Sequence, residues 1–183
     1  MSSRNTSRSL LLLAAVAAVS IGAAEAPVIR ITPLAREGHV LVSFTLADGF
    51  TSDVRDAIQS GLTTTFSYDV DLKRDATFWF DHTLASTNVT ASVKYDTLTR
   101  KFSLTRSSDG RIDEAESTDS EERVRQRLTN FDRLPLFSSA GLEPNGEYYL
   151  RVRAHTTPRT TWFFWSWWDR HEVAGIAHFT FIP

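Results

Sequence analysis

The chain has 183 residues, with 20 Lys+Arg against 22 Asp+Glu and a formal net charge of −2. That balance excludes a dedicated nucleic-acid binder, which needs a basic excess or stripe, and 42% hydrophobic against 23% charged residues excludes a disordered chain. With no cysteine, a disulfide framework, Cys-ligated zinc, a thiol nucleophile and lipid attached to cysteine are excluded as well.

Met1 to Arg8 is polar and carries Arg4 and Arg8; Ser9 to Ala24 is uncharged, with an apolar core from Leu10 to Val19, and Gly22-Ala23-Ala24-Glu25-Ala26 follows. A basic start, a short apolar stretch and a small-residue site are the layout of a secretory signal peptide. Cleavage after Ala24 is expected, Ala26 being the second option, although Pro27 would then come first. The competing reading is a retained membrane anchor, for which the apolar run is shorter than the ~20 residues of a spanning helix. Removing residues 1–24 leaves 159 residues and, with the two arginines gone, a formal charge of −4. The expected organisation is a signal peptide over 1–24 and one β-rich exported domain over 25–183, periplasmic or extracellular.

Alternation of apolar and polar residues then marks half-buried strands. Val40, Val42, Phe44 and Leu46 share one face. In the longest case Leu62, Thr64, Phe66, Tyr68, Val70 and Leu72 oppose Thr63, Thr65, Ser67, Asp69, Asp71 and Lys73. Val89, Ala91, Val93 and Tyr95 repeat the pattern, as do Phe102 and Leu104, with Asp96-Thr97-Leu98-Thr99 as the connection between them. Asp109-Gly110 is a turn signal, because both residues tolerate positive φ. Later, Tyr148, Leu150, Val152 and Ala154 form one face, and Ala177, Phe179 and Phe181 another.

Two segments change period. Thr51 to Ser60 sets Val54, Ala57 and Ile58 at helical spacing, with Thr51 or Ser52 as cap and Gly61 as stop. From about Asp119 to Phe131, Val124, Leu128 and Phe131 make a narrow stripe behind a Thr118/Glu121 capping box, which predicts a surface helix lying over one sheet face. The expected fold is mainly β with two short helices (α+β): an antiparallel sheet or a two-layer β-sandwich, with an immunoglobulin-like arrangement as one form of it.

No catalytic motif is present. None of His39, His82, His155, His171 and His178 falls in H-E-x-x-H, and G-x-S-x-G, G-x-x-x-x-G-K-[ST] and G-x-G-x-x-G are absent. No cofactor, metal or catalytic residue is expected. Asp69 and Asp71, two apart on one strand, could share acid/base work, but a solvated strand face explains them more simply. The Asp169-Arg170-His171-Glu172 cluster could hold a metal or move a proton; a charged turn is again the simpler reading. The sequon Asn88-Val89-Thr90 falls on a predicted strand.

The run Trp162-Phe163-Phe164-Trp165-Ser166-Trp167-Trp168 places six large aromatics in seven positions, with no alternation that would let one sheet face bury them all. Either the segment folds back over an open end of the sandwich, with Trp79 contributing, or part of it stays exposed as a contact surface for a membrane or a protein. The expected contact residues are Trp162, Phe163, Phe164, Trp165, Trp167 and Trp168.

The chain resembles the DUF4390 family of uncharacterised bacterial exported proteins. The resemblance rests on the signal peptide, Val40–Leu46, the helix end Ala57-Ile58-Gln59-Ser60-Gly61-Leu62, Thr65–Leu72, Trp79-Phe80-Asp81, Val93–Leu98, the Tyr148–Arg153 strand and the aromatic region behind it. It implies no activity or cofactor. The link of some members to membrane sensor-kinase operons implies an extracytoplasmic accessory role. Two functions follow as expectations: a non-catalytic envelope module binding a protein partner or membrane surface, or a secreted hydrolase or carbohydrate-binding protein. The second would use the tryptophans with Asp69, Asp71, Asp81 or Glu172 as acid and base.

Overall fold

A computed structural model describes residues 28–74, 82–157 and 173–182. Nine strands and two helices follow one another in this span: β1 (Val28–Arg36), β2 (His39–Ala47), α1 (Ser52–Gln59), β3 (Thr64–Arg74), β4 (His82–Asp96), β5 (Lys101–Ser108), β6 (Arg111–Thr118), α2 (Glu121–Thr129), β7 (Asn130–Ser138), β8 (Glu147–Thr157) and β9 (Val173–Thr180). All strand pairs are antiparallel. They form a three-stranded sheet, β1-β2-β7, and a six-stranded sheet, β6-β5-β4-β3-β8-β9. The fold is a mainly β, two-layer α+β sandwich.

The alternation identifies the inner faces. Val40, Val42, Phe44 and Leu46 of β2 are buried, as are Phe66, Tyr68, Val70 and Leu72 of β3, Val89, Ala91 and Val93 of β4, and Leu150, Val152 and Ala154 of β8. The layers meet at Phe44, Tyr68 and Phe131, from β2, β3 and β7, with ring centroids 4.5–5.1 Å apart. Such offset and edge contacts suit the aromatic quadrupole. Two hairpins close with two-residue turns at positive φ, Glu37-Gly38 and the expected Asp109-Gly110.

Thr51 caps α1 by accepting from Val54 N, and Gly61 stops it at φ +85°. For α2, the cap is Ser120 rather than Thr118, which instead accepts from Ser120 N. The helix ends at Thr129, so Phe131 belongs to β7 and not to the helical stripe. Nor does α2 lie over one sheet: it packs on β4 and β5 of one layer and β2 and β7 of the other, and Val124 and Leu128 are buried between them. Leu62 leaves the β3 face, because the strand begins two residues later and the preceding turn exposes it.

Three strands are not marked out by the sequence pattern: β6 and β7 lack a clean alternation, and in β1 the alternating row Ile29, Ile31, Ala35 is interrupted by Pro33. β1 and β7 are the edges of the small sheet, and each carries a proline, Pro33 and Pro135. A proline cannot donate to a ladder and is tolerated at edges. β6, the edge of the large sheet, is mostly exposed and nearly all polar. Gly175 lets the sheets close on one another: a Cβ there would stand 2.7 Å from Ile29 O of β1.

Candidate interaction surface

The six aromatic residues from Trp162 to Trp168 lie outside the described residues, as do Trp79, Asp81, the Asp169–Glu172 cluster and the signal segment. The strands that frame them are described. Segment 158–172 leaves β8 at Thr157, opposite Thr65, and re-enters at Val173, opposite Ala154. Both points belong to one end of the large sheet. The segment carrying Trp79 is rooted at Arg74 and His82 instead. Nine strand steps separate Thr65 from Arg74, about 30 Å, so the two aromatic segments start from opposite ends.

The outer face of the large sheet holds the carboxylate pair. Asp71 is not solvated: it is 5% exposed, with Arg151 Nη2 at 2.8 Å, Arg153 Nη2 at 3.5 Å and Ser86 Oγ at 2.7 Å. The register causes this, because β3 is central and Arg151 stands directly across on β8. Burial alone would raise the Asp71 pKa. Hydrogen bonds from Arg151 and Ser86 and the two guanidinium charges outweigh it and hold the carboxyl below its ordinary value. A carboxylate held ionised by two cations is poorly suited to act as a general acid.

Asp69 accepts from Asn88 Nδ2 at 2.8 Å and faces His155 Nε2 at 3.2 Å. Ser67, opposite His155 in register, accepts from Asn88 at 2.9 Å. Asn88, the sequon asparagine, is therefore held by its strand neighbours. Lys73 is buried on this face, its ammonium 6.0 Å from the Tyr149 ring centre. The ladder as a whole is a set of cross-strand pairs. Among the described residues, no group of three or more His, Asp or Glu could hold a metal ion. An opening of about 450 Å³ lies between the Asp109-Gly110 turn and Leu134–Leu136 of β7 and is of mixed polarity.

A second polar centre was hidden in the sequence. Arg106 continues the inward Phe102–Leu104 phase of β5 and reaches the end of α2. It donates to Arg127 O at 2.5 and 2.9 Å and to Asn130 O at 2.6 Å, with its guanidinium 4.3 Å from the Phe131 ring centre. Tyr68 donates to Leu128 O at 2.7 Å, and burial raises its pKa. These donors complete the carbonyls that a helix leaves open at its C-terminus. The available signal was a charged residue at a core-facing strand position.

The fold and these sites describe a β-sandwich in which Asp71, Tyr68 and Arg106 are engaged in holding its own elements. Residues 23–160 match the DUF4390 family, a domain of unknown function, and the chain belongs to that family. The matched span includes every described element except β9, and it stops before the aromatic run. No curated protein and no solved structure matched the chain.

Proposed function

We propose that the chain is an exported, non-catalytic envelope module that binds a membrane surface or a protein partner through the aromatic run, accessory to envelope sensing. The observation that carries this reading is the placement of the run between β8 and β9. These are antiparallel neighbours, already paired at Ala154 and Val173, and a two-residue turn could join such neighbours. The fifteen residues 158–172 are far more than the connection requires. Six large aromatics in a segment that neither sheet needs are better explained by contact than by connection. The paired state of Asp71 adds support, since it removes one of the carboxyls on which a hydrolase would rely. Export is supported by the layout of residues 1–24, and intact mass of the secreted form tests it: a mature start at Glu25 or Pro27 is expected.

Changing Trp165 and Trp167 together to Ser tests the surface. The expected result is a Tm within a few degrees of the parent and weaker association with envelope membranes or proteins. Two core tryptophans would each cost ~3–5 kcal/mol when truncated. Loss of folding in the double variant therefore overturns the proposal.

A further inference from the structure

We infer that residues 82–87, at the start of β4, are a docking edge for an extended, uncharged segment of a protein partner. That segment continues the large sheet past the Asp109-Gly110 turn and sets its inward side chains into the opening beside β7. The site lies at the end of the sheet away from Thr157 and is independent of the aromatic run. β4 is 15 residues long, yet β5 accompanies it only from Val89 to Asp96. Asn88 N donates to Asp109 Oδ1 at 2.9 Å, and Asn88 O accepts from Asp109 N at 2.8 Å. Both backbone groups of Asn88 therefore point away from β3. In an antiparallel strand that direction recurs at every second residue, so Ser86 turns its N–H and C=O the same way, beyond the end of the hairpin. Ser86 is exposed, and among the described residues neither group has a partner. Unanswered peptide groups on an exposed strand are what an incoming strand pairs with.

The remaining edges are guarded. β1 and β7 carry prolines, β9 packs against β1, and β6 carries Arg111, Asp113, Glu114 and Glu116. Thr83-Leu84-Ala85-Ser86-Thr87 has neither proline nor charge, and Leu84, at the register shift against β3, is 46% exposed. The 450 Å³ opening sets the chemistry of the occupant. Thr87 of this edge lines it, together with Leu134 and Leu136 from the other layer. An incoming residue opposite Ser86 faces outward with it, and its two neighbours face into the opening. The charges lining the opening are already engaged. Asp109 holds Asn88 N, and Asp113 accepts from Ser108 Oγ at 2.6 Å and stands 3.7 Å from Arg111 Nε. They ask for no countercharge, so the inward side chains of the partner are apolar. A second copy paired through the same edge turns only Ala85 and Thr87 inward, a poorer fill than the larger apolar side chains of a different partner.

Amide hydrogen exchange on the full chain, followed by NMR, tests this with a short synthetic peptide that alternates Thr and Val. In the free protein the Ser86 amide should exchange fast and the Asn88 amide slowly. Saturating peptide should slow exchange at Ser86 several-fold, and the same peptide with a central proline should not. Ser86→Pro removes only the outward N–H and is tolerated at an edge, so its Tm should stay within a few degrees while peptide protection at this edge is lost. Ser86→Ala, which also loses the bond to Asp71 but keeps the N–H, should bind as the parent does. Slow exchange at Ser86 in the free monomer overturns the inference, because the chain then answers its own edge. So does a peptide that adds no protection, or one that binds Ser86→Pro equally well. Loss of folding in Ser86→Pro places that N–H in the β3 ladder and overturns it too. Protection of Ser86 that grows with protein concentration, together with a doubled mass, overturns it in favour of a second copy. Peptide binding that survives in the Trp165/Trp167 double variant is expected, so failure here and failure of the proposed function are read separately.

Discussion

A guanidinium brought toward a core loses its hydration, and it is tolerated when its donors are used. Arg106 shows both halves of that rule. Burial, followed by repulsion from Arg127, pushes its pKa down to about 10, which still leaves it charged at neutral pH. Its donors meet the last carbonyls of α2, and cations are favourable at that end of a helix. Asp71 is the corresponding anion on the outer face, and it changes what mutations there should do. Val70→Asp places a charge in the core and should cost ~3–5 kcal/mol. Asp71→Val would be nearly neutral on a solvated face. Here it removes the acceptor of Arg151, Arg153 and Ser86 and should cost ~1–3 kcal/mol, reduced by the partial exposure of both arginines. Urea midpoints of the two variants measure this. The pH dependence has a fixed sign. Because the folded pKa lies below the unfolded value, the contribution of Asp71 is full above the unfolded pKa of about 3.9 and disappears as pH falls through the folded value. The stability gap between parent and Asp71→Asn should be constant near neutrality and close in acid.

Elements differ in how much of themselves they write into the sequence. β3 is legible because its inner row is apolar and its outer row polar, as half-burial requires. β1, β6 and β7 are not: Pro33 and Pro135 argue against a strand, and β6 has only Ile112 and Ala115 as apolar residues. These features suit edges, where a fully apolar, proline-free strand would recruit other chains. The bulged pairing of β7 is held by Ser43, which donates to Asp132 at 3.0 Å and accepts from Arg133 N at 2.9 Å. The seam at Gly175 cannot be read from sequence, since it depends on β1 approaching from the other layer. Gly175→Ala should cost ~1–3 kcal/mol, because backbone rather than a flexible side chain blocks the methyl. Gly141→Ala, which meets open space at an ordinary φ, should stay within about 0.5 kcal/mol in the same thermal melts.

For the molecule as a whole, the layer architecture was legible and the order of the strands within each layer was not. Alternation records which side of a strand is wet, but says nothing of which strands become neighbours. The aromatic run was conspicuous in sequence, whereas the partnering of Asp71 by β8 required the register.

The pairing of β3 with β8 also determines when this protein can fold. It joins Thr65 to Thr157 and Arg74 to Tyr148, sequence separations of 92 and 74 residues, in the middle of the larger sheet. Contacts so distant close slowly, and refolding from urea should take milliseconds to seconds rather than microseconds. A chain emerging from its N-terminus has completed β3 to β6 long before β8 arrives, so β3 waits with one flank of backbone donors and acceptors unanswered. Chains ending before Glu147 should accordingly collect in the aggregated fraction. Completion of the last fifth of the polypeptide, rather than formation of any local hairpin, becomes the step that commits the molecule to its native state.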